Sequence, residues 1–387
     1  MANTLTSLIP SMTEALDIVS RELVGMVPAV RRDTGVERVA LNQDLIIPIT
    51  PEASTATNTP GVTAPDTGDQ TIANTTLTIS KSKHVPVRWN GEETRGLQNA
   101  GTFSTITAQR LYQAMRALVN EMEVDLWGAA YVASSRAYGT AATTPFGTAA
   151  DFTDFSGVAR ILDENGCPVS DRQLVLGHAA IANLRGKQSV LFKANEAGST
   201  DMLRNGMTDR IQNFAIRHSD AVTTHTKGAM TGADVNNGSG EAIGQTTITF
   251  DGGTVNTTGI VAGDVITFAG DTNKYVVKTG STATGGDIVI NKPGMLVAAA
   301  DTTEITVGNS YTGNLAFDRN AVILATRFPA MPEGGDSAED VYTLVDDRSG
   351  IAFEVALYKQ FLQNVIHVRA AWGVGAPKPE HIATLLG

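Results

Sequence analysis

The stretch that decides the fold is residues 104–136, STITAQRLYQAMRALVNEMEVDLWGAAYVASSR. Ser104 can cap a helix by accepting a backbone N–H of the first turn. Large apolar residues then recur every three or four positions and form one stripe of an α-helix: Leu111, Met115, Leu118, Met122 and Leu126. A helix of about 33 residues is roughly 50 Å long. A globule of this chain length has a radius of gyration of roughly 21 Å, so the helix is predicted to cross the molecule as a spine.

The rest of the sequence is sparsely charged. Only 18% of the 387 residues are Asp, Glu, Lys or Arg, while 42% are hydrophobic. A surface with so few charges tends to associate, so we expect other chains to cover part of it. The net charge is −11 and there is no basic block. This argues against tight nucleic-acid binding, which needs clustered Lys and Arg.

Cysteine usage and hydropathy bear on the compartment. The single cysteine, Cys167, excludes an intramolecular disulfide and fits a reducing environment. The first residues lack a basic segment followed by an apolar core, so no signal peptide is expected. No apolar run approaches the roughly 20 residues of a membrane span, and no membrane is expected among the partners.

Residues 41–92 are predicted to form an extended two-stranded loop. Leu45 to Ile49 has the pattern of a strand, and its proline keeps it at a sheet edge. Pro51 to Thr71 is rich in Thr, Pro, Ala and Gly, with Val62 as its only large apolar residue. The returning arm, Thr71 to Arg88, could reach roughly 55 Å when extended. A loop of that reach is expected to lie on another subunit.

The second half of the chain predicts mostly β-structure. Between Thr231 and Thr312, short strands alternate with glycine turns, which is typical of a small antiparallel barrel. We interpret it as a module inserted in a host domain. Alternation over residues 351–357 and 366–372 predicts two long strands joined by a turn. The tail, Glu380 to Leu386, is expected to close in a short helix.

Motifs that would indicate catalysis or cofactor binding are missing from the sequence. The closest polar set, His218, Asp220 and His225, does not converge on one helix face as a zinc site would require. Cys167 has acidic neighbours in sequence, which disfavour a thiolate. Neither a phosphate-binding glycine loop nor a nucleophile elbow occurs. We therefore expect no catalytic residue, no cofactor and no metal, and a protein that is not an enzyme.

Five short stretches carry a resemblance to a known family. They are TPGVT at 59–63, PDTG at 65–68, VPVRWNGE at 85–92, GDVITFAG at 263–270 and NLAFDRNA at 314–321. On these stretches and on the order of its parts, the chain resembles the major capsid (coat) proteins of tailed bacteriophages. It is most similar to the podovirus coat branch, which carries an inserted β-domain. The resemblance implies the α+β fold shared by tailed-phage and herpesvirus major capsid proteins.

The resemblance also implies a division into five parts. These are an N-terminal arm, 1–40; an extended loop, 41–92; a peripheral domain, 93–150 and 331–387, containing the spine helix 104–136; an axial domain, 151–230 and 314–330; and an inserted β-barrel domain, 231–313.

The function that the resemblance implies is structural. Such a subunit assembles with copies of itself, in the host bacterial cytoplasm, into hexamers and pentamers of an icosahedral head enclosing double-stranded DNA. Its implied partners are a scaffolding protein, a portal protein, the DNA as a non-specific neighbour and, optionally, a decoration protein. Inter-subunit contacts are expected at Pro60, Val62, Pro65, Asp66, Lys81 and Lys83, and a scaffold contact at Glu14 and Asp17.

One alternative stays open from the residues. A secreted or surface-layer β-rich structural protein would also be rich in Thr and Gly and poor in charge. The missing signal peptide and the long capped helix weigh against it. Electron microscopy distinguishes the two, because a capsid subunit forms closed shells and a surface-layer protein forms flat lattices.

Overall fold

The computed structural model is a mixed α+β chain, which confirms the predicted fold class. It describes residues 12–15, 18, 24–49, 55, 57–63, 72–99, 101, 103–187, 210–255, 258–346 and 350–387. The α-helices with both ends in these residues are Gly91–Asn99, Phe103–Val132, Thr153–Glu164 and His178–Lys187.

The strands in chain order are β1 Arg31–Val39, β2 Asp44–Ile49, β3 Ala73–Thr78, β4 Lys81–Asn90, β5 Arg136–Tyr138, β6 Arg172–Leu176, β7 Arg210–Ile211, β8 Phe214–His218, β9 Thr224–His225, β10 Met230–Thr231, β11 Ala233–Val235, β12 Thr247–Asp251, β13 Thr254–Val255, β14 Val265–Phe268, β15 Lys274–Thr279, β16 Gly286–Ile290, β17 Glu304–Val307, β18 Tyr311–Asp318, β19 Ile323–Pro329, β20 Asp340–Asp346, β21 Ile351–Gln360, β22 Gln363–Gly375 and β23 Ile382–Leu386.

The spine helix, Phe103–Val132, confirms the helix predicted from the apolar stripe. Every residue of that stripe is buried, from Leu111 to Leu126. The helix ends four residues before the predicted end at Arg136. The reason is long-range pairing, because Ser135 donates its N–H to Ile382 (2.9 Å) and Arg136 enters strand β5.

A six-stranded sheet packs on the spine helix. Its order is β1-β19-β22-β21-β20. Strand β4 also pairs with β22, along residues 363–372, whereas β19 pairs with residues 371–375 of the same strand. The two long strands β21 and β22 confirm those predicted from alternation. Side chains such as Phe353, Val368 and Trp372 point from this sheet into the core shared with the spine helix. The helix and the sheet therefore form the two layers of the main body.

A second, larger sheet continues into a barrel. The order β7-β8-β6-β18-β23-β5 leads through β15 to the barrel strands. Helices Thr153–Glu164 and His178–Lys187 pack on β6, β8 and β18 through their own core. Strands β14-β17-β11-β12-β16-β15 then close on themselves, because β14 also pairs with β15. The buried residues inside this ring all lie between Met230 and Ile305.

The predicted extended arm from Thr71 to Arg88 is wrong as one outstretched strand. Strand β3 ends at Thr78, and Ile79 closes the hairpin root by donating its N–H to Gln43 (3.0 Å). Strand β4 then pairs along its whole length with β22 in the main sheet. Alternating apolar residues indicate a half-buried strand, but they do not tell whether its partner is the same chain or another.

The predicted helix at Glu380–Leu386 is also wrong. Residues Pro379–His381 form a single 3₁₀ turn, and Ile382–Leu386 is strand β23. This strand lies between β5 and β18 and is buried on both faces. A short apolar run of that kind has no alternation, so its sequence does not distinguish a central strand from a helical turn.

Three of the predicted parts contribute a strand to a sheet that is formed mainly by another part. Strand β1, Arg31–Val39, lies in the predicted arm 1–40 but pairs in parallel with β19 in the main sheet. Residues 314–330 divide between the sheets, because β18 belongs to the second and β19 to the first. In 331–387, the last strand likewise joins the second sheet. The division into separately folding domains stays a prediction.

Candidate functional site

The surface with the clearest need for a partner is the β2–β3 hairpin. It forms a two-stranded sheet that pairs with no other strand in the described part of the chain. On one face of the hairpin, Leu45 and Ile47 pack against a buried apolar cluster that includes Leu77 and Ile79. On the other face Ile46 is 67% exposed. Unpaired strand edges are templates for pairing with another chain, so this hairpin is incomplete in an isolated subunit.

The predicted contact residues beyond the hairpin are exposed where the structure describes them. Pro60 and Val62 both lie in an exposed stretch, 57–63, and Val62 is fully exposed. Pro65 and Asp66 lie outside the described residues. The structure therefore presents an apolar side chain at the loop tip, and its contact with another subunit stays a prediction.

Lys81 and Lys83, the other predicted contacts, lie on β4 against the spine helix. Lys81 Nζ is 2.8 Å from both Glu121 Oε1 and Asp125 Oδ1, and Lys83 Nζ is 2.5 Å from Glu121 Oε1. Asp125 in turn accepts a hydrogen bond from Trp372 Nε1 at 2.9 Å. Both lysines therefore join β4 to the spine helix within one chain.

The charges of this cluster stabilise each other. Burial acts to lower the pKa of Lys81, but its hydrogen bonds to Asp125 and Glu121 outweigh burial and raise that pKa. Burial acts to raise the pKa of Glu121, and its hydrogen bonds with Lys81 and Lys83 outweigh burial and lower that pKa. A lysine held in its charged form is a poor nucleophile. The cluster therefore suits an ionic contact rather than a covalent cross-link.

The predicted scaffold contact lies beside an apolar groove. Residues 12–15 are helical, with Met12 and Ala15 buried in the main core and Glu14 exposed. The groove has a volume of about 540 Å³ and is lined by Glu14, Ala15 and Ile18 and by the start of the spine helix, including Ala108 and Tyr112. Asp17 lies outside the described residues. Only Glu14 of the predicted pair can therefore be located, at the rim of this groove.

Sequence reasoning missed a buried carboxylate in the middle of the spine helix. Glu123 Oε1 accepts the N–H of Val27 at 2.8 Å, and Glu123 Oε2 accepts the hydroxyl of Ser219 at 2.5 Å. Backbone N–H groups of Gly25 and Met26 also face this carboxylate. The three segments meet because Glu123 lies on the helix face that turns inward. The sequence signal that could have indicated this site is that Glu123 directly follows Met122, a residue of the apolar stripe.

A second missed feature is the turn between the two longest strands. Phe361 is 90% exposed and Leu362 is 73% exposed. Leu362 has a positive φ of 54°, which is strained for this residue type. Its carbonyl accepts the N–H of Gly91 at 3.0 Å, which fixes the turn against the neighbouring helix. Two large apolar side chains are thus held outward at one end of the main sheet.

The third missed feature joins the barrel to the host. His225 Nε2 and Asp264 Oδ1 are 2.8 Å apart, and both residues are buried. Asp264 also accepts the N–H of Gly228 and of Val261. The preceding Gly263 has a φ of +91°, and a Cβ there would lie 2.4 Å from the ring of Tyr131 on the spine helix. Only glycine fits this close approach.

The chemistry available elsewhere in the described residues is limited. Burial raises the pKa of the Cys167 thiol to about 11, so it is a poor thiolate. Within these residues, no group of three His, Cys, Asp or Glu side chains is placed to hold a metal ion. A search of the same residues finds no helix both long and apolar enough to cross a membrane.

Comparison with known proteins gives matches in structure only. No protein-family model matches the chain, and no curated protein matches its sequence. The chain is similar to the capsid of the cyanophage P-SCSP1u, with 15% identity, a TM-score of 0.42, and 92% of this chain and 89% of that chain covered. It is similar to the mature capsid of bacteriophage PhiM1, with 10% identity, a TM-score of 0.39, and 93% and 86% covered.

A virus-like particle from Pyrococcus furiosus is similar at 9% identity and a TM-score of 0.41, with 98% of this chain and 99% of that chain covered. These structures are capsids and a virus-like particle.

Proposed function

We propose that this chain is the major capsid subunit of a tailed bacteriophage. Its copies would assemble into hexamers and pentamers of an icosahedral head that encloses packaged double-stranded DNA. The observation that carries the proposal is the β2–β3 hairpin, whose edges have no partner strand in the described part of the chain. A subunit of this kind is completed by its neighbours, as a self-assembling shell requires.

Three exposed apolar side chains also support assembly rather than a solitary role. Ile46 on the hairpin, Val62 near its tip and Phe361 at the end of the main sheet are all largely exposed. They lie on the hairpin with its loop and on the turn between β21 and β22, so one subunit offers apolar contacts at more than one place. Contacts between different surfaces of identical subunits generate rings and extended assemblies. A closed shell needs contacts of this heterologous type.

The charge of the chain suits a container for DNA. The net charge of −11 opposes retention of the phosphate backbone on the wall. Packed DNA would then be a neighbour that slides along the inner surface. In this proposal the protein resides in the virion capsid after assembly in the bacterial cytoplasm.

The domain roles follow the two sheets. The spine helix and the six-stranded sheet would form the peripheral domain, and the second sheet with its two helices would form the axial domain at capsomer centres. The barrel of β11, β12 and β14–β17 would stand apart as the inserted domain. A portal protein would occupy one vertex of the shell, and a decoration protein is an optional addition.

A scaffolding protein would guide assembly through the region of Glu14 and Asp17. Glu14 is exposed beside the apolar groove described above, which could receive an apolar side chain next to a basic one. We expect reversal of both acids to Lys to reduce scaffold incorporation into particles, measured by gel densitometry. Unchanged incorporation would remove this contact from the proposal.

Electron microscopy of the purified chain, alone and co-expressed with its scaffold, tests the proposed function. Closed shells of uniform size are the expected result. Flat lattices would support a surface-layer protein instead. A soluble monomer under all conditions would contradict the proposal, because the hairpin would then have no partner to complete it.

A further inference from the structure

A pair of histidines lies at one edge of the second sheet, outside every surface described above. Strands β6 and β8 run parallel, with Leu176 directly opposite His218, so their carboxyl ends meet at this edge. His178 follows β6 and begins the helix His178–Lys187, while His218 ends β8. The fold therefore brings together two imidazole rings that are 40 positions apart in the chain.

The two rings face each other through their nitrogen atoms. His178 Nδ1 and His218 Nε2 are 2.6 Å apart, and the ring planes are perpendicular. On the other side of its ring, His178 Nε2 lies 2.7 Å from Asp220 Oδ1. An ionised carboxylate can only accept a hydrogen bond, so Asp220 holds the His178 proton on Nε2. The lone pair of His178 Nδ1 is thereby directed at His218.

This arrangement has the parts of a metal site. A metal-bound histidine usually donates its other N–H to a carboxylate, which fixes the tautomer and the orientation of the ring. Asp220 does this for His178. Two nitrogens bound to one ion at 2.0–2.1 Å lie roughly 2.9–3.4 Å apart, so these nitrogens need to separate by less than about 1 Å. The side chain of His178 is 64% exposed, so its ring has room for that adjustment and ions from solvent can reach it.

The fold also corrects the grouping of His218 and Asp220 with His225 that the sequence suggested. His225 is buried at the junction with the barrel, and His178 takes its place beside His218. Two charges act on His218 here, the guanidinium of Arg185 and the carboxylate of Asp220. They have opposite signs, so Asp220 offsets the repulsion that Arg185 would exert on a bound cation.

From this geometry we infer that His178 and His218 bind one divalent transition-metal ion of the class that imidazole prefers, such as Zn²⁺, Ni²⁺ or Cu²⁺. Each ring supplies one nitrogen, and Asp220 orients His178 without touching the ion. The ion replaces the proton between the two nitrogens, which passes to solvent or to Nδ1 of His218. Among the described residues no group of three His, Cys, Asp or Glu side chains is placed to hold an ion, so water completes the coordination.

Isothermal titration calorimetry of the tag-free full chain with ZnCl₂ at neutral pH tests the inference. We expect Asp220→Asn to lower the Zn²⁺ affinity by about tenfold, as the loss of an outer carboxylate partner does. His178→Ala and His218→Ala each remove one of two protein ligands and should lower it by about tenfold or more. Cu²⁺ should bind more tightly than Zn²⁺, and Mg²⁺, which prefers oxygen ligands, should not compete.

A second histidine pair provides the matched control. The rings of His84 and His367 stack on the main sheet with their centroids 4.7 Å apart, and H84A/H367A should leave the Zn²⁺ affinity unchanged. Zn²⁺ should raise the melting temperature of wild type and of this control, but not that of H178A/H218A. Circular dichroism without metal should be the same for all these chains, because His178 is exposed and His218 is half-buried.

Electron paramagnetic resonance identifies the ligands. Wild type with one equivalent of Cu²⁺ should show coupling to two imidazole nitrogens, and His218→Ala should show coupling to one. An unchanged Zn²⁺ affinity in both single histidine variants, or a wild-type Cu²⁺ spectrum without two bound nitrogens, would overturn the inference. An equal loss of affinity in H84A/H367A would also overturn it, because binding would then follow histidine content. Both ligands belong to one chain, so none of these outcomes depends on whether the chain forms shells.

Discussion

Glu123 lies in the spine helix with 5% of its surface exposed and joins the arm, the helix and the turn after β8. Glu123→Gln has nearly the same shape and keeps an acceptor for the Val27 N–H, so we expect little change in melting temperature at pH 7. Glu123→Ala should lose roughly 2–3 kcal/mol, because it leaves buried donors unsatisfied. Thermal and urea unfolding of the unassembled chain measure both variants.

The pH dependence of Glu123 has a defined sign. Burial raises its pKa above the ordinary value, so the folded chain holds this proton more tightly than the unfolded chain. Its contribution to stability is complete at low pH and is lost as pH rises through the raised folded pKa. Wild type should therefore gain stability relative to Glu123→Gln on acidification. The opposite trend would contradict this reading of the site.

The contribution of Asp336 to stability is predicted to have the opposite pH dependence to that of Glu123. The hydroxyl of Tyr358, at 2.5 Å, is the main cause that lowers its pKa to about 2, with help from Arg369. Because the folded pKa lies below the ordinary value of 3.8, the stabilisation is present above that value and is lost as pH falls toward 2. Asp336 lies on an exposed loop where water screens its contacts, so Asp336→Asn should cost only about 0.2–1 kcal/mol at pH 7 and almost nothing near pH 2.

Urea unfolding at both pH values measures the effect of Asp336→Asn. Glu333→Gln, on the same exposed loop, is the matched control and should be neutral at both. A cost that is equal at pH 7 and pH 2 would mean that the side chain acts through packing alone and that its charge is not stabilising.

Among the elements, those with a regular apolar period could be predicted from sequence, and the others could not. The spine helix and strands β21 and β22 carry long periodic patterns, so their type follows from the residues alone. Strand β1 reads RRDTGVERV, and its place is set by parallel pairing with β19 nearly 300 positions away. This charged segment has no regular apolar period, so its sequence does not predict a strand in the main sheet.

Of the predicted subunit contacts, the exposure of the loop residues could be predicted from the sequence, but the position of Lys81 could not. The exposure of Pro60 and Val62 follows from a Thr- and Pro-rich stretch with one large apolar residue. The ion pairs of Lys81 depend on β4 pairing with β22, which brings it to Glu121. That contact depends on tertiary structure, so the same lysine was expected on an outstretched arm.

The hairpin loop is predicted to be dispensable for folding and required for assembly. Deletion of residues 54–69 removes the tip and leaves the buried anchors Leu77 and Ile79. We expect a soluble, folded monomer by circular dichroism and sedimentation, with no stable shells by electron microscopy. Val62→Ala, which shortens a single tip side chain, should assemble with reduced yield. Normal shells from the deletion would contradict the proposed role of the loop.

The barrel is predicted to fold by itself. Its six strands close into a ring, and the buried residues of its core lie within 231–313 except Met230, which directly precedes that segment. Residues 231–313 expressed alone should unfold in one cooperative transition. Phe250→Ala, inside the barrel, should cost roughly 3–5 kcal/mol. A random-coil spectrum of the isolated segment would show that the β15–β5 pairing with the host is essential.

Across the whole molecule, the two sheets and the hairpin differ in whether their strands have pairing partners within the chain. Strands β21 and β22 have partners within the chain, whereas the outer edges of β2 and β3 find none in its described part.

Amide hydrogen exchange follows local opening and unpaired edges. In the unassembled subunit, outward amides of β2 and β3 should exchange quickly, and those at the centre of β22 slowly. In shells the hairpin amides should become protected while those of β22 stay unchanged. A hairpin equally protected before and after assembly would mean that the subunit is already complete, and a hairpin unprotected in shells would place the subunit contact elsewhere.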